Sequence, residues 1–96
     1  MPNYKLSAEA VSDVGAIGDH GVRAFGVTKA LKYHLGLESR FELMSEFPRI
    51  GIPTYDLHPG LYRQPFKAHT IFYTIQPDHI LIVRVLPGRA DFARNF

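Results

Sequence analysis

The sequence predicts an α+β domain in which an N-terminal strand leads into a helical hairpin packed on a small, predominantly antiparallel β-sheet. Three observations carry that prediction. Apolar residues recur at three- and four-residue steps through the N-terminal half. Glycine and proline cluster between Pro48 and Gly60, and the last third holds three short β-rich runs separated by turn residues. The 96 residues read as one domain, residues 1–96, large enough for a modest core but with a narrow stability margin.

Tyr4, Lys5 and Leu6 alternate in an extended start, and Ser7 is placed to cap a helix whose first turn carries Glu9. Val11, Val14, Ile17 or Gly18, Val22 and Phe25 then form one helical stripe, expected to face the sheet or the second helix. Gly15, Gly18 and Gly21 each cost that helix about 1 kcal/mol relative to alanine, so it depends on tertiary contacts. Their three-residue spacing suits tolerance beside other packing and close approach of a second backbone equally well. Gly26 breaks the pattern. Ala30, Tyr33, Leu37, Phe41 and Met44 make a longer stripe that stops before Pro48, giving the second arm of the hairpin.

Residues 49–60, with Gly51, Pro53 and Pro59-Gly60, read as a surface loop. Strands are expected over residues 61–66, 70–76 and 80–86, arranged as a meander with Pro77-Asp78 in the last turn. Simple alternation in the third of these puts Leu81, Val83 and Val85 on one face, with Ile80, Ile82, Arg84 and Leu86 on the other. Both faces are apolar except at Arg84, which is therefore expected to be a partly desolvated charge for a partner. The outer face needs a cover, and the chain's own tail and another protein are equally suited to it. The tail alternates Arg89 and Arg94 with Phe92 and Phe96, a mixture that suits target recognition; in the competing reading the two phenylalanines cap the core.

Composition removes several function classes. Without cysteine there is no disulfide framework, thiolate metal site or cysteine nucleophile, and a reducing cytoplasm suits the chain. No apolar run approaches the roughly 20 residues of a spanning helix, and Met1-Pro2-Asn3-Tyr4 lacks the apolar core of a signal peptide, so no membrane association is expected. His20, His34, His58, His69 and His79 show no short ligand spacing, no serine sits in a glycine-flanked elbow, and no phosphate-binding glycine loop is present. No cofactor and no metal is expected. The formal charge of +2 is unevenly spread: acids concentrate between Glu9 and Glu46, whereas Arg63, Lys67, Arg84, Arg89 and Arg94 lie in the last third. Such a basic surface suits nucleic acid or an acidic protein.

Leu57-His58-Pro59-Gly60-Leu61-Tyr62-Arg63, His69-Thr70-Ile71-Phe72-Tyr73 and Ile80 through Asp91 follow one another in an order that resembles the ParE branch of the RelE/ParE toxin superfamily. The likeness extends from Tyr4-Lys5-Leu6-Ser7 through Arg40 to Gly51. Pro87 stands where that family commonly has histidine, and Ala90 replaces the second arginine of a pair. The resemblance implies the toxin of a type II toxin–antitoxin module, a gyrase-inhibiting binding protein neutralised by a cognate ParD-like antitoxin, with which it forms a hetero-oligomer. Two alternatives stay open: a RelE-like ribosome-dependent mRNA endoribonuclease, and a non-toxic module that retains only antitoxin binding. No catalytic residue is assigned. Arg63, His69, Arg84, Arg89, Phe92, Arg94 and Phe96 are the candidate contacts for target or antitoxin.

Overall fold

In the computed structural model, which describes residues 3–96, the chain runs β1 (Tyr4–Leu6), α1 (Ala8–Phe25), α2 (Val27–Glu46), β2 (Ile52–Pro53), β3 (Leu61–Phe66), β4 (His69–Ile75), β5 (Ile80–Pro87) and a single 3₁₀ turn (Phe92–Asn95). Met1 and Pro2, half of the segment read above as lacking a leader, lie outside the described residues. The five strands form one sheet in the order β1-β5-β4-β3-β2, with β1 parallel to β5 and every other pair antiparallel. The expected fold class is thus the observed one.

Ser7 caps α1 as the sequence predicts, its Oγ accepting the Ala10 N–H at 3.0 Å. Gly26 ends that helix with φ +88°, a left-handed value that favours glycine, and α2 begins at the next residue. Leu37, Phe41 and Met44 bury the predicted face of α2 in the core with the sheet, and Ala30 is buried beside Gly21 of α1. The stripe predicted for α1 is rotated. Ala10, Val14 and Ile17 pack inward, whereas Val11, Val22 and Phe25 are exposed, Phe25 by 64%. Gly21 continues the inward row, because a Cβ there would lie 3.2 Å from the Ala30 Cβ; its missing side chain lets the helices approach. Nothing comes near a Cβ built at Gly15 or Gly18, so the close-approach reading holds for Gly21 alone.

The predicted alternation in β5 fails at one residue. Phe72 pairs with Arg84 but Tyr73 pairs with Ile82, so Val83 is an extra residue in the ladder. That bulge inverts the facing of everything after it. Ile80, Ile82 and Val85 consequently join the core beneath the helices, while Val83 and Leu86 belong to the outer face. Residues 49–60 are also not wholly loop, since Ile52 and Pro53 pair with Arg63 and Tyr62. Proline is tolerated there because β2 is the sheet's edge and no outward donor is required.

The outer face is covered by the chain itself. Leu61, Phe72 and Leu86 are buried beneath Leu57, Ala90, Phe92 and Phe96. The Phe92 and Phe96 rings lie 4.9 and 4.8 Å from that of Phe72, so the tail is a lid on this second small core and not a free recognition element. The turn from Pro87 to Ala90, closed by the Ala90 N–H to the Pro87 carbonyl, folds the 3₁₀ segment back over the strands.

Arg84 is committed within the fold. Beyond Ile82, where β1 stops, the edge of β5 has no strand beside it, and α1 supplies the missing partners. Ser7 donates its N–H to the Ile82 carbonyl at 2.9 Å and its hydroxyl to the Val83 carbonyl at 2.6 Å. The Asp13 carboxylate accepts the Val85 N–H at 2.9 Å and takes Arg84 in a two-point grip, at 2.8 and 3.0 Å. Arg84 reaches Asn95 as well, at 3.1 Å, so one side chain joins α1, β5 and the tail. Its guanidinium is held more firmly protonated by the hydrogen bond to Asp13. An Asp13→Ala variant is expected to lose about 2–4 kcal/mol in denaturant unfolding, because it strands both the Val85 N–H and the arginine. Asp13→Asn, which keeps an acceptor, should fall between the two; an alanine variant as stable as the parent would mean that the edge is satisfied by water.

Candidate functional site

Between the helical hairpin and the ends of β3, β4 and β5 lies a groove of about 680 Å³, within the range of ligand-sized sites. Its walls are apolar: Val14 and Ile17 from α1, Ala30 and Leu37 from α2. Gly18 widens the α1 side by having no side chain. Beside the groove α1 runs along β5, and α2 joins the sheet in the main core through Leu37 and Phe41.

At the base of the groove the Tyr33 hydroxyl lies 2.6 Å from His69 Nδ1 and 3.4 Å from the Phe66 carbonyl oxygen. The Phe66 ring meets the edge of Tyr33 at 5.3 Å, and Lys67 Nζ hangs 5.6 and 5.5 Å from the Tyr33 and Phe66 ring centres. Burial pushes the His69 pKa below its ordinary 6.5, and the neighbouring His20 pushes it the same way. Burial raises that of Tyr33. Around the rim stand His20, Lys29, His34 and Arg89, and no carboxylate lines the groove. His34 alone has an acid close by, Glu38 at 3.5 Å one turn along α2.

The seven sequence candidates therefore separate. His69 and Arg89 come together in the groove. Arg84, Phe92 and Phe96 are engaged in holding the edge and the outer face. Arg63, half-buried on β3, stands opposite Phe72 on that same outer face, and Arg94 is exposed on the 3₁₀ turn. His20, Lys29 and Tyr33 also line the groove and were not among the sequence candidates. Tyr33 was placed on the core stripe of α2, which is where it sits, but its hydroxyl extends past the core to a histidine 36 positions away. A second apolar set, Phe47, Ile50, Ile52 and Tyr55, is exposed around Arg49 at the β2 end of the sheet. Among the described residues no cluster of three or more His, Asp or Glu is placed to hold a metal, and no helix is long and apolar enough to cross a membrane.

A helical hairpin over one face of a mixed five-stranded sheet, with its own tail sealing the other, defines a small α+β domain whose open feature is a groove. The family described as the ParE toxin of type II toxin–antitoxin system, parDE, matches residues 4–92, and the chain belongs to that family. It is 31% identical over 86 residues to Toxin ParE1 of Caulobacter vibrioides, covering 90% of this chain and 88% of that one. It is 37% identical over 57 residues to Toxin ParE3 of the same organism, covering 59% of this chain and 57% of the relative. Among solved structures, the chromosomal ParDE toxin–antitoxin system from P. aeruginosa aligns with a TM-score of 0.77 at 22% identity, over 91% of this chain and 96% of that one, which shows a shared fold. The expected resemblance is borne out, and with it a type II module in which the toxin has an antitoxin partner.

Proposed function

We propose that this toxin acts in the cytoplasm by inhibiting DNA gyrase, and that a ParD-like antitoxin neutralises it by laying an acidic, amphipathic segment into the groove between the hairpin and the sheet. The observation that carries the antitoxin assignment is the pairing of apolar walls with a rim of four basic side chains, His20, Lys29, His34 and Arg89, above His69, and no carboxylate in the lining. An apolar side chain flanked by acids complements both features, and a disordered tail that folds on docking would bury surface while pairing charge. The gyrase assignment is supported by membership of the ParE family. In the groove His69 has a hydroxyl partner and stands among apolar walls, which suits an apolar peptide segment.

Gly18→Leu tests the groove with little risk to the fold, since a Cβ at that position meets open space and leucine favours helix by about 1 kcal/mol over glycine. The variant is expected to melt no lower than the parent while binding antitoxin at least about tenfold more weakly, a loss of about 1.4 kcal/mol. Unchanged affinity would place the antitoxin elsewhere. For the target, supercoiling and trapped-break assays with purified gyrase are expected to respond to the toxin. Cleavage sites mapped by primer extension on translating ribosomes, with gyrase unaffected, would replace this reading with the endoribonuclease.

A further inference from the structure

We propose that the Tyr33–His69 pair is the polar anchor of the groove, receiving a carboxylate side chain of the antitoxin segment and taking up one proton as it does so, which tightens neutralisation as pH falls. The inference rests on the assignment of the groove to the antitoxin made above and adds a residue-level mechanism to it.

Basic side chains from several elements surround His69. From α1 comes His20; from α2 come Lys29, Tyr33 and His34, the last with Glu38 on its far side; from the turn between β3 and β4 comes Lys67; and after β5 comes Arg89. Apart from Glu38, every formal charge these elements bring to the groove is positive or becomes so on protonation. A half-buried imidazole in that company is disfavoured in its charged form in the free protein. A carboxylate entering the groove reverses both causes, since it offers an opposite charge and a hydrogen-bond acceptor in a site shielded from water.

The hydrogen-bond geometry accommodates either state without moving a heavy atom. With His69 neutral, the Tyr33 hydroxyl donates to Nδ1 at 2.6 Å and the imidazole N–H is Nε2. With His69 protonated, Nδ1–H donates to the Tyr33 oxygen instead, and the hydroxyl hydrogen turns to the Phe66 carbonyl, 3.4 Å away. The added proton comes from solvent, and no other bond forms or breaks. Tyr33 thus acts as a positioning residue that keeps the ring in one orientation through the change. Lys67, at φ +51° in the two-residue turn, holds its ammonium over the Tyr33 and Phe66 rings.

The sign of the pH dependence follows. Free His69 takes up its proton at lower pH than an ordinary histidine, and a carboxylate beside it in the proposed complex raises that pH. Between those two values the complex holds more protons than the free partners, so affinity rises on acidification, with a limiting slope of about tenfold per pH unit for one proton. The test uses the intact toxin and a synthetic peptide of the C-terminal segment of its cognate antitoxin, titrated calorimetrically at pH 5.5, 6.5 and 7.5 in buffers of different ionisation enthalpy. Net proton uptake and a roughly three- to tenfold gain in affinity from pH 7.5 to 6.5 are expected. The His69 ring proton, followed by NMR, should titrate higher in the complex. His69→Gln is expected to flatten the slope, and His79→Gln, in a turn outside the groove, to leave it intact. A slope that survives His69→Gln, or one removed by His20→Gln or His34→Gln, overturns the proposal. Peptide that is displaced by Gly18→Leu but binds with no proton uptake defeats the anchor and leaves the groove assignment standing. Peptide indifferent to Gly18→Leu defeats both.

Discussion

Removing residues 92–96 is expected to lower the thermal midpoint of the free toxin by about 10–20 °C, corresponding to about 2–4 kcal/mol for a domain of this size. The truncation strips both phenylalanines from the Phe72 ring and uncovers Leu61 and Leu86, all three of which are buried in the intact chain. It also takes from Arg84 its Asn95 partner. Growth inhibition should fall with the fraction of folded protein, and the truncated chain should self-associate through its bared sheet face. Arg94→Ala serves as the comparison, because that exposed residue contributes charge to the tail without packing beneath it; its melting should be unchanged. A truncated toxin that melts within about 2 °C of the parent yet no longer inhibits growth would restore the tail to the recognition role its composition suggested.

Gly51→Ala is expected to cost about 3–5 kcal/mol in chemical denaturation, a large effect for a single methyl group at a sheet edge. A Cβ at Gly51 would overlap the Tyr73 hydroxyl and sit 2.9 Å from the Arg63 carbonyl oxygen. Tyr73 has nowhere to go. Its side chain is fully buried, its ring stacks on Tyr62 at 5.6 Å, and its hydroxyl accepts the Gly51 N–H at 3.0 Å while donating to the Pro48 carbonyl at 2.7 Å. This one oxygen fastens the chain leaving α2 to the centre of the sheet. Tyr73→Phe should cost about 1–3 kcal/mol by orphaning those two backbone groups. Because that change also removes part of the obstruction, the double variant should lose less than the sum of the two. Strict additivity would show that the alanine clashes with the Arg63 backbone alone.

Much of the fold was legible because the signals were local. A sustained 3.6-residue period from Ala30 to Met44 has only one structural interpretation, and Gly26 marks a break that requires a left-handed residue. The strand runs are bounded by turn residues that announce themselves. Register was harder. Val83 looks like any other valine in an apolar run, and nothing local says that it will be the unpaired residue of a bulge. The rotation of α1 was illegible for a similar reason: Val11, Val22 and Phe25 are as apolar as Ala10, Val14 and Ile17, so two adjacent stripes competed on equal terms.

By itself, then, the sequence determined the order and kind of the elements, the α+β class and membership of the ParE family, because each is written in short-range periodicity, turn chemistry and ordered motifs. Only the tertiary structure decided what those residues do for one another. Asp13 finds Arg84 across 71 positions, Tyr33 finds His69 across 36, and Phe72 draws the tail over the sheet's second face. Period and propensity report which residues share a face of their own element, but not what that face meets. The meeting is set by packing the whole chain at once, and the groove exists only where helices and strands, each complete in itself, fail to close upon one another.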